Sequence, residues 1–191
     1  MSAAARLVLD AVACLRGERL LFEGLNLALG PGEAALVTGP NGVGKSSQLR
    51  LIAGLLPPAA GTVTADGALA LAAEAPALDP DRSLGDALAF WTAIDGTGGR
   101  LADAMAAMAL TPLAPVPVRM LSTGQRKRAV LARTIASGAQ IWLLDEPGNG
   151  LDAAALDRLA AAMAAHRADG GIVVAASHQP IGLHDAREVR L

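Results

Sequence analysis

Apolar positions along this chain fall into two patterns. Short unbroken runs recur in AALVTG (34–39), in IWLLDE (141–146) and in IVVAAS (172–177), each ending at a glycine, a carboxylate pair or a serine. Runs of this kind suit strands buried on both faces, as in a parallel sheet. Between them lie longer stretches with helical spacing: GKSSQLRLIAGLL (44–56), SLGDALAFWTAI (83–94), GGRLADAMAAMAL (98–110), a segment of about 123–137 and DAAALDRLAAAMAAHRADGG (152–171). The last of these ends in glycines, which favour a helix stop. Two extended segments open the chain, 6–15 and 19–29, turned by RGE. Residues 62–73 read as one or two further strands around ADG, and AREVRL (186–191) as an edge strand.

The order is therefore β-rich, then αβ, then wholly helical from about 83 to 137, then αβαβ. Buried strands alternating with helices predict an α/β fold, a mostly parallel sheet covered on both faces. An N-terminal antiparallel β part and an inserted helical subdomain complete it, within a single domain spanning 1–191. No window approaches the ~18 apolar residues of a membrane-spanning helix. The N-terminus lacks the basic start, apolar run and small-residue cleavage site of a secretory signal. These features predict a cytoplasmic chain.

Composition narrows the function. Of 191 residues, 52% are hydrophobic, 16 are basic and 18 acidic, and aromatics make up 2%. A net charge of −2 and so few stacking rings argue against a nucleic-acid partner. The single cysteine, Cys14, forms no internal disulfide and reads as a small buried hydrophobe. Fourteen basic residues are arginine, and only Lys45 and Lys127 are lysine. One of those two lysines stands inside a glycine-rich loop.

That loop, GPNGVGKS (39–46), satisfies G-x-x-x-x-G-K-[ST] in full, after an apolar strand and before a helix. Gly39, Gly42 and Gly44 let the backbone approach phosphates, and the N–H groups of the loop, through Asn41 and Val43 after Pro40, point inward. Lys45 supplies a compact charge for the β- and γ-phosphates of a nucleotide. Ser46 can ligate Mg²⁺, and Ser47 can reach the α-phosphate. The IWLLDE run places Asp145 at a strand end to hold the Mg²⁺ and Glu146 to orient or activate a water. Loop and carboxylates together indicate a nucleoside triphosphatase.

LSTGQRKR (121–128) is a second anion-binding feature. Ser122 is an N-cap, and a helix start carries unpaired N–H groups and partial positive charge. Taken alone it would be an ordinary capped helix, with 126–128 a solvated basic run. Together GPNGVGKSS, LSTGQ, WLLDEP, GLD and SH resemble the ATP-binding-cassette (ABC) ATPases in order and spacing. That resemblance implies the P-loop ABC ATPase fold, ATP and Mg²⁺ as ligands, and two cassettes paired head to tail. Ser122, Gly124 and Gln125 of one copy would then cap the γ-phosphate held by its twin. It also implies that Asp152 lies in a loop crossing the dimer interface and that His178 touches the γ-phosphate. The residues expected to act in catalysis are Glu146, His178 and Lys45.

Three positions depart from the family pattern. Its glutamine between core and helical subdomain is absent, with Glu74 or Ala75 in its place. No aromatic stands near residue 16 to stack on adenine, where Arg16 or Arg19 is available. Ser-Ala-Leu-Asp is replaced by Asn149-Gly150-Leu151-Asp152. The stretches ERLLFEGL, GPNGVGKSSQLRLIAGLL and LSTGQRKR are similar to the cytochrome c maturation branch of the family. That likeness implies haem export, integral membrane subunits as partners, and a peripheral position on the cytoplasmic face of the inner membrane. The motifs also admit an ABC ATPase for another small-molecule cargo, or one outside transport. A single cassette without a long coiled-coil insert weighs against the last. No C-x-x-C-H is present, so haem would not be attached to this chain. Phe90 and Trp91 are expected in the core, or else in an exposed apolar patch on the helical stretch.

Overall fold

The computed structural model describes residues 4–73 and 77–191. Glu74 and Ala75, the positions standing for the absent glutamine, lie outside the described residues. The chain opens with β1 (Arg6–Arg16), β2 (Arg19–Leu29), β3 (Ala34–Thr38) and α1 (Lys45–Ile52), followed by β4 (Ala60–Asp66) and β5 (Leu69–Ala72). Then come α2 (Leu84–Ile94), α3 (Leu101–Ala107) and α4 (Thr123–Ala136), before β6 (Ile141–Asp145), α5 (Ala153–Ala168), β7 (Ile172–Ala176) and β8 (Arg187–Arg190).

Two sheets result. One is antiparallel, in the order β2-β1-β4, and the other is parallel throughout, in the order β5-β6-β7-β3-β8. Its central strands β6 and β7 are buried at every position. Strand parity then sorts the core into two layers. Ile141, Leu143, Ile172 and Val174 face α1 and the antiparallel sheet, packing with Leu7, Leu49 and Ile52. Trp142, Leu144, Val173 and Ala175 face the other way, onto Leu84, Leu88, Met105, Leu110 and Val130. The helical stretch thus shares one continuous core with the sheet. No helix among the described residues is long and apolar enough to cross a membrane.

Cys14 is fully buried, and burial pushes its thiol pKa up against the lowering effect of Arg16. Phe90, expected in the core or on an exposed patch, is 47% exposed. Trp91 is half-buried, with its indole N–H on the Ala77 carbonyl at 2.6 Å and the Arg133 guanidinium 3.7 Å from its ring centre. Helical spacing puts the two neighbours about 100° apart on α2, and here Trp91 turns toward Arg133 of α4 while Phe90 turns toward solvent. Arg16 and Arg19 are exposed, directly opposed across the β1–β2 pair.

Behind the sheet, the His166 ring stacks on Trp142 at 3.8 Å and 7°. Burial holds its pKa below the ordinary value, against smaller upward effects of the Ile172 and Gln140 carbonyls and of Asp169. Below pH ~6.5 the unfolded chain therefore binds more protons than the folded one. The stability contributed by this neutral ring is complete above that pH and declines as pH falls toward the lower folded value. Melting temperatures taken from pH 7.5 to 5.5 should drop more steeply for the wild type than for His166→Phe, which keeps the stack but not the titration. Parallel slopes would exclude this effect.

Candidate nucleotide site

The loop after β3, the end of β6 and the end of β7 meet at the carboxyl edge of the parallel sheet, where ligands of open α/β folds bind. Backbone shape makes the loop possible. Gly39 has φ +141°, and a Cβ built there would stand 2.9 Å from the Leu191 carbonyl oxygen and 3.1 Å from Val43 Cγ1. Leu21 and Phe22 of β2 pack beside Gly44. Lys45, only 7% exposed, folds its ammonium onto the loop, donating to the carbonyls of Gly39 at 2.9 Å and Pro40 at 3.3 Å.

Ser46 Oγ donates to Asp145 Oδ1 at 2.9 Å, across 99 residues of chain. Asp145 is the last residue of β6 and is buried. Glu146 follows with φ +45°, a left-handed backbone rare outside glycine. Its N–H donates to the Ala176 carbonyl at 2.9 Å, and its Oε2 lies 2.9 Å from His178 Nδ1. Adjacent strands thereby hold the two side chains together: Glu146 just past β6, His178 just past β7.

The Ser122 turn is built separately. Its hydroxyl accepts the Gln125 N–H at 3.2 Å, while Gln125 Oε1 accepts the Ser122 N–H at 2.8 Å, a complete capping box. Gly124 sits against the turn at Gly150, where an added Cβ would lie 2.8 Å from the Gly150 carbonyl oxygen. Asp152 caps α5 through its contact with the Ala155 N–H at 2.8 Å. So Ser46 meets Asp145 and Glu146 meets His178 by direct contacts, Lys45 lies on the loop's own carbonyls, and Gly124 braces the Ser122 turn on the loop leading to Asp152.

The basic run at 126–128 is not uniformly solvated. Lys127 is 8% exposed and its ammonium donates to the Asp145 carbonyl at 3.1 Å. Arg128 Nη1 donates to the carbonyls of Met108 and Ala109, at 2.9 and 3.1 Å. Sequence reasoning gave Lys127 no role. The available signal was its spacing with Val130, Leu131 and Thr134, the buried stripe of α4.

A profile of the ABC transporter family matches residues 22–149. The chain belongs to the ABC transporter family. It is the ATP-binding, ATP-hydrolysing subunit of such a transporter. Among curated ABC proteins it is 58% identical to the cytochrome c biogenesis ATP-binding export protein CcmA of Sphingopyxis alaskensis, over 96% of this chain and 95% of that protein. It is 54% identical to the CcmA of Zymomonas mobilis, over 98% of this chain and 85% of that one. A solved metal-chelate-type ABC transporter in an inward-facing conformation superposes with a TM-score of 0.84 at 25% identity, covering 100% of this chain and 80% of that one.

Proposed function

We propose that this chain powers the export step of cytochrome c biogenesis, hydrolysing ATP that two copies hold jointly, with haem as the exported molecule. The cargo reading is supported by near full-length identity to proteins named for cytochrome c biogenesis export. The joint grip is supported by one observation above all: the Ser122 cap and the glycine loop are held by different partners. Ser46 with Asp145, and Glu146 with His178, meet at the carboxyl edge of the parallel sheet, beside the loop that carries Lys45, while the Ser122 cap is braced on the Gly150 turn through Gly124. Two copies arranged head to tail bring each cap to the other's loop.

In this reading the N–H groups of 39–47 and the Lys45 ammonium bind the phosphates. Glu146, held by His178, orients the attacking water and accepts its proton. His178 also contacts the γ-phosphate. Ser46 and Asp145 present hard oxygen donors side by side, the ligand type Mg²⁺ selects. Bound there, Mg²⁺ would neutralise phosphate charge. Closure of the dimer follows from contacts made only when ATP bridges the copies, and its hydrolysis removes them. Integral membrane subunits receive that motion through the helical stretch, with exposed Phe90 and Ile94 as apolar contacts, from the cytoplasmic face of the inner membrane.

The joint grip is tested with Ser122→Asp. Aspartate still caps a helix, but it sets a carboxylate against the partner's γ-phosphate. Both chains are prepared in the slow-hydrolysing Glu146→Gln background and saturated with magnesium ATP. Light scattering should show a dimer where Ser122 is kept and a monomer where it is replaced. Both should bind ATP alike. Equal dimerisation would refute the shared site.

A further inference from the structure

The peptide group between Asp145 and Glu146 is pinned at both ends. Its N–H, on Glu146, donates to the Ala176 carbonyl at 2.9 Å. Its C=O, on Asp145, accepts from the Lys127 ammonium at 3.1 Å. With that plane held, Glu146 leaves it at φ +45° and its carboxylate meets His178. A left-handed non-glycine residue is strained and persists where its surroundings over-determine it. Ala176 and Lys127 hold the peptide before it, and the Asn149 N–H donates to the Glu146 carbonyl after it at 3.2 Å.

The two pins differ in kind. Ala176 belongs to the neighbouring strand, so its contact is a continuation of the sheet. Lys127 comes from α4, five residues after Ser122, on the helix whose first turn touches Gly150. It lies on the buried stripe of that helix, where a lysine has no packing advantage over leucine or methionine. Its compact ammonium on a four-carbon stem brings a charged donor to the Asp145 main-chain oxygen.

We infer that Lys127 is a positioning residue for hydrolysis: it fastens the Asp145–Glu146 peptide to the helix bearing the Ser122 cap, so that the place of that helix sets the place of the Glu146 carboxylate. This rests on the reading of Glu146 as the residue that orients water. Its consequence is directional. A cap engaged on the partner copy's nucleotide fixes α4, and α4 in turn fixes the carboxylate of its own chain's site.

The test compares variants of the full chain by steady-state phosphate release with magnesium ATP. Lys127→Met keeps the stem and removes the donor; kcat should fall at least tenfold while KM for ATP stays within threefold and the melting temperature within a few degrees. Lys127→Gln, whose amide stops short of the carbonyl, should give the same split and serves if the methionine chain fails to fold. Lys127→Arg, which restores a cationic donor, should recover a clear part of the loss. Added to Glu146→Gln, the methionine change should lower the rate by no more than a further threefold, because both act through one carboxylate. Losses that multiply, an arginine variant no better than methionine, or a Lys127→Met kcat within twofold of wild type would each overturn the inference. If Glu146→Gln itself kept wild-type turnover, the reading of Glu146 would fail instead.

Discussion

Glu146→Gln is expected to lower ATP turnover by about 10²–10⁴-fold, the range typical of a positioned acid–base group, with ATP still bound. The substitution keeps the shape and removes only the charge and basicity. Glutamine can still meet His178, and the Glu146 N–H bond to Ala176 is a main-chain contact that the change does not touch. Folding and nucleotide affinity should therefore be preserved, and the loss should fall on kcat. Phosphate release under saturating ATP, beside a direct binding titration, reads both quantities. Turnover within threefold of the wild type would remove Glu146 from the chemistry.

Lys45→Met should act on the other parameter. Lys45 is nearly enclosed, and its ammonium lies over the carbonyls of Gly39 and Pro40, at the mouth of the loop. A hydrogen bond from a charged donor contributes about 1.5–3 kcal/mol, so its loss should weaken nucleotide binding by roughly 10–10²-fold. Arginine should not substitute, because a planar fork does not fit a space shaped for a point charge. Calorimetric titration with ATP and ADP measures the effect. Wild-type affinity in the methionine variant would show that the ammonium is not on the phosphates.

Much of this architecture is legible because burial on both faces leaves an unmistakable pattern. The runs around 34–39, 141–146 and 172–177 become β3, β6 and β7, and REVR becomes an edge strand on β3. The hairpin of β1 and β2 follows from its turn at Gly17. Helix ends are less legible: the segment beginning at 44 stops at Ile52, where Gly54 takes φ +71°. The glycine loop and the carboxylates announce themselves because phosphate chemistry demands particular residues at fixed spacing. Lys127 does not announce its hold on Asp145, because the Asp145 acceptor is a main-chain oxygen, and a carbonyl has no residue type to read. The sharing of one core between the helical stretch and the sheet is hidden for a related reason. Periodicity says which face of α4 is apolar, not that Trp142 and Leu144 lie beneath it.

The capping box at Ser122 has a kinetic consequence. Its two reciprocal hydrogen bonds are satisfied within the chain itself, so the turn is rigid before any second molecule arrives. An incoming triphosphate meets a receptor already in its final form and loses little affinity to ordering that surface. Encounter between the two halves should then be governed by orientation and charge steering, with no folding delay at the point of contact.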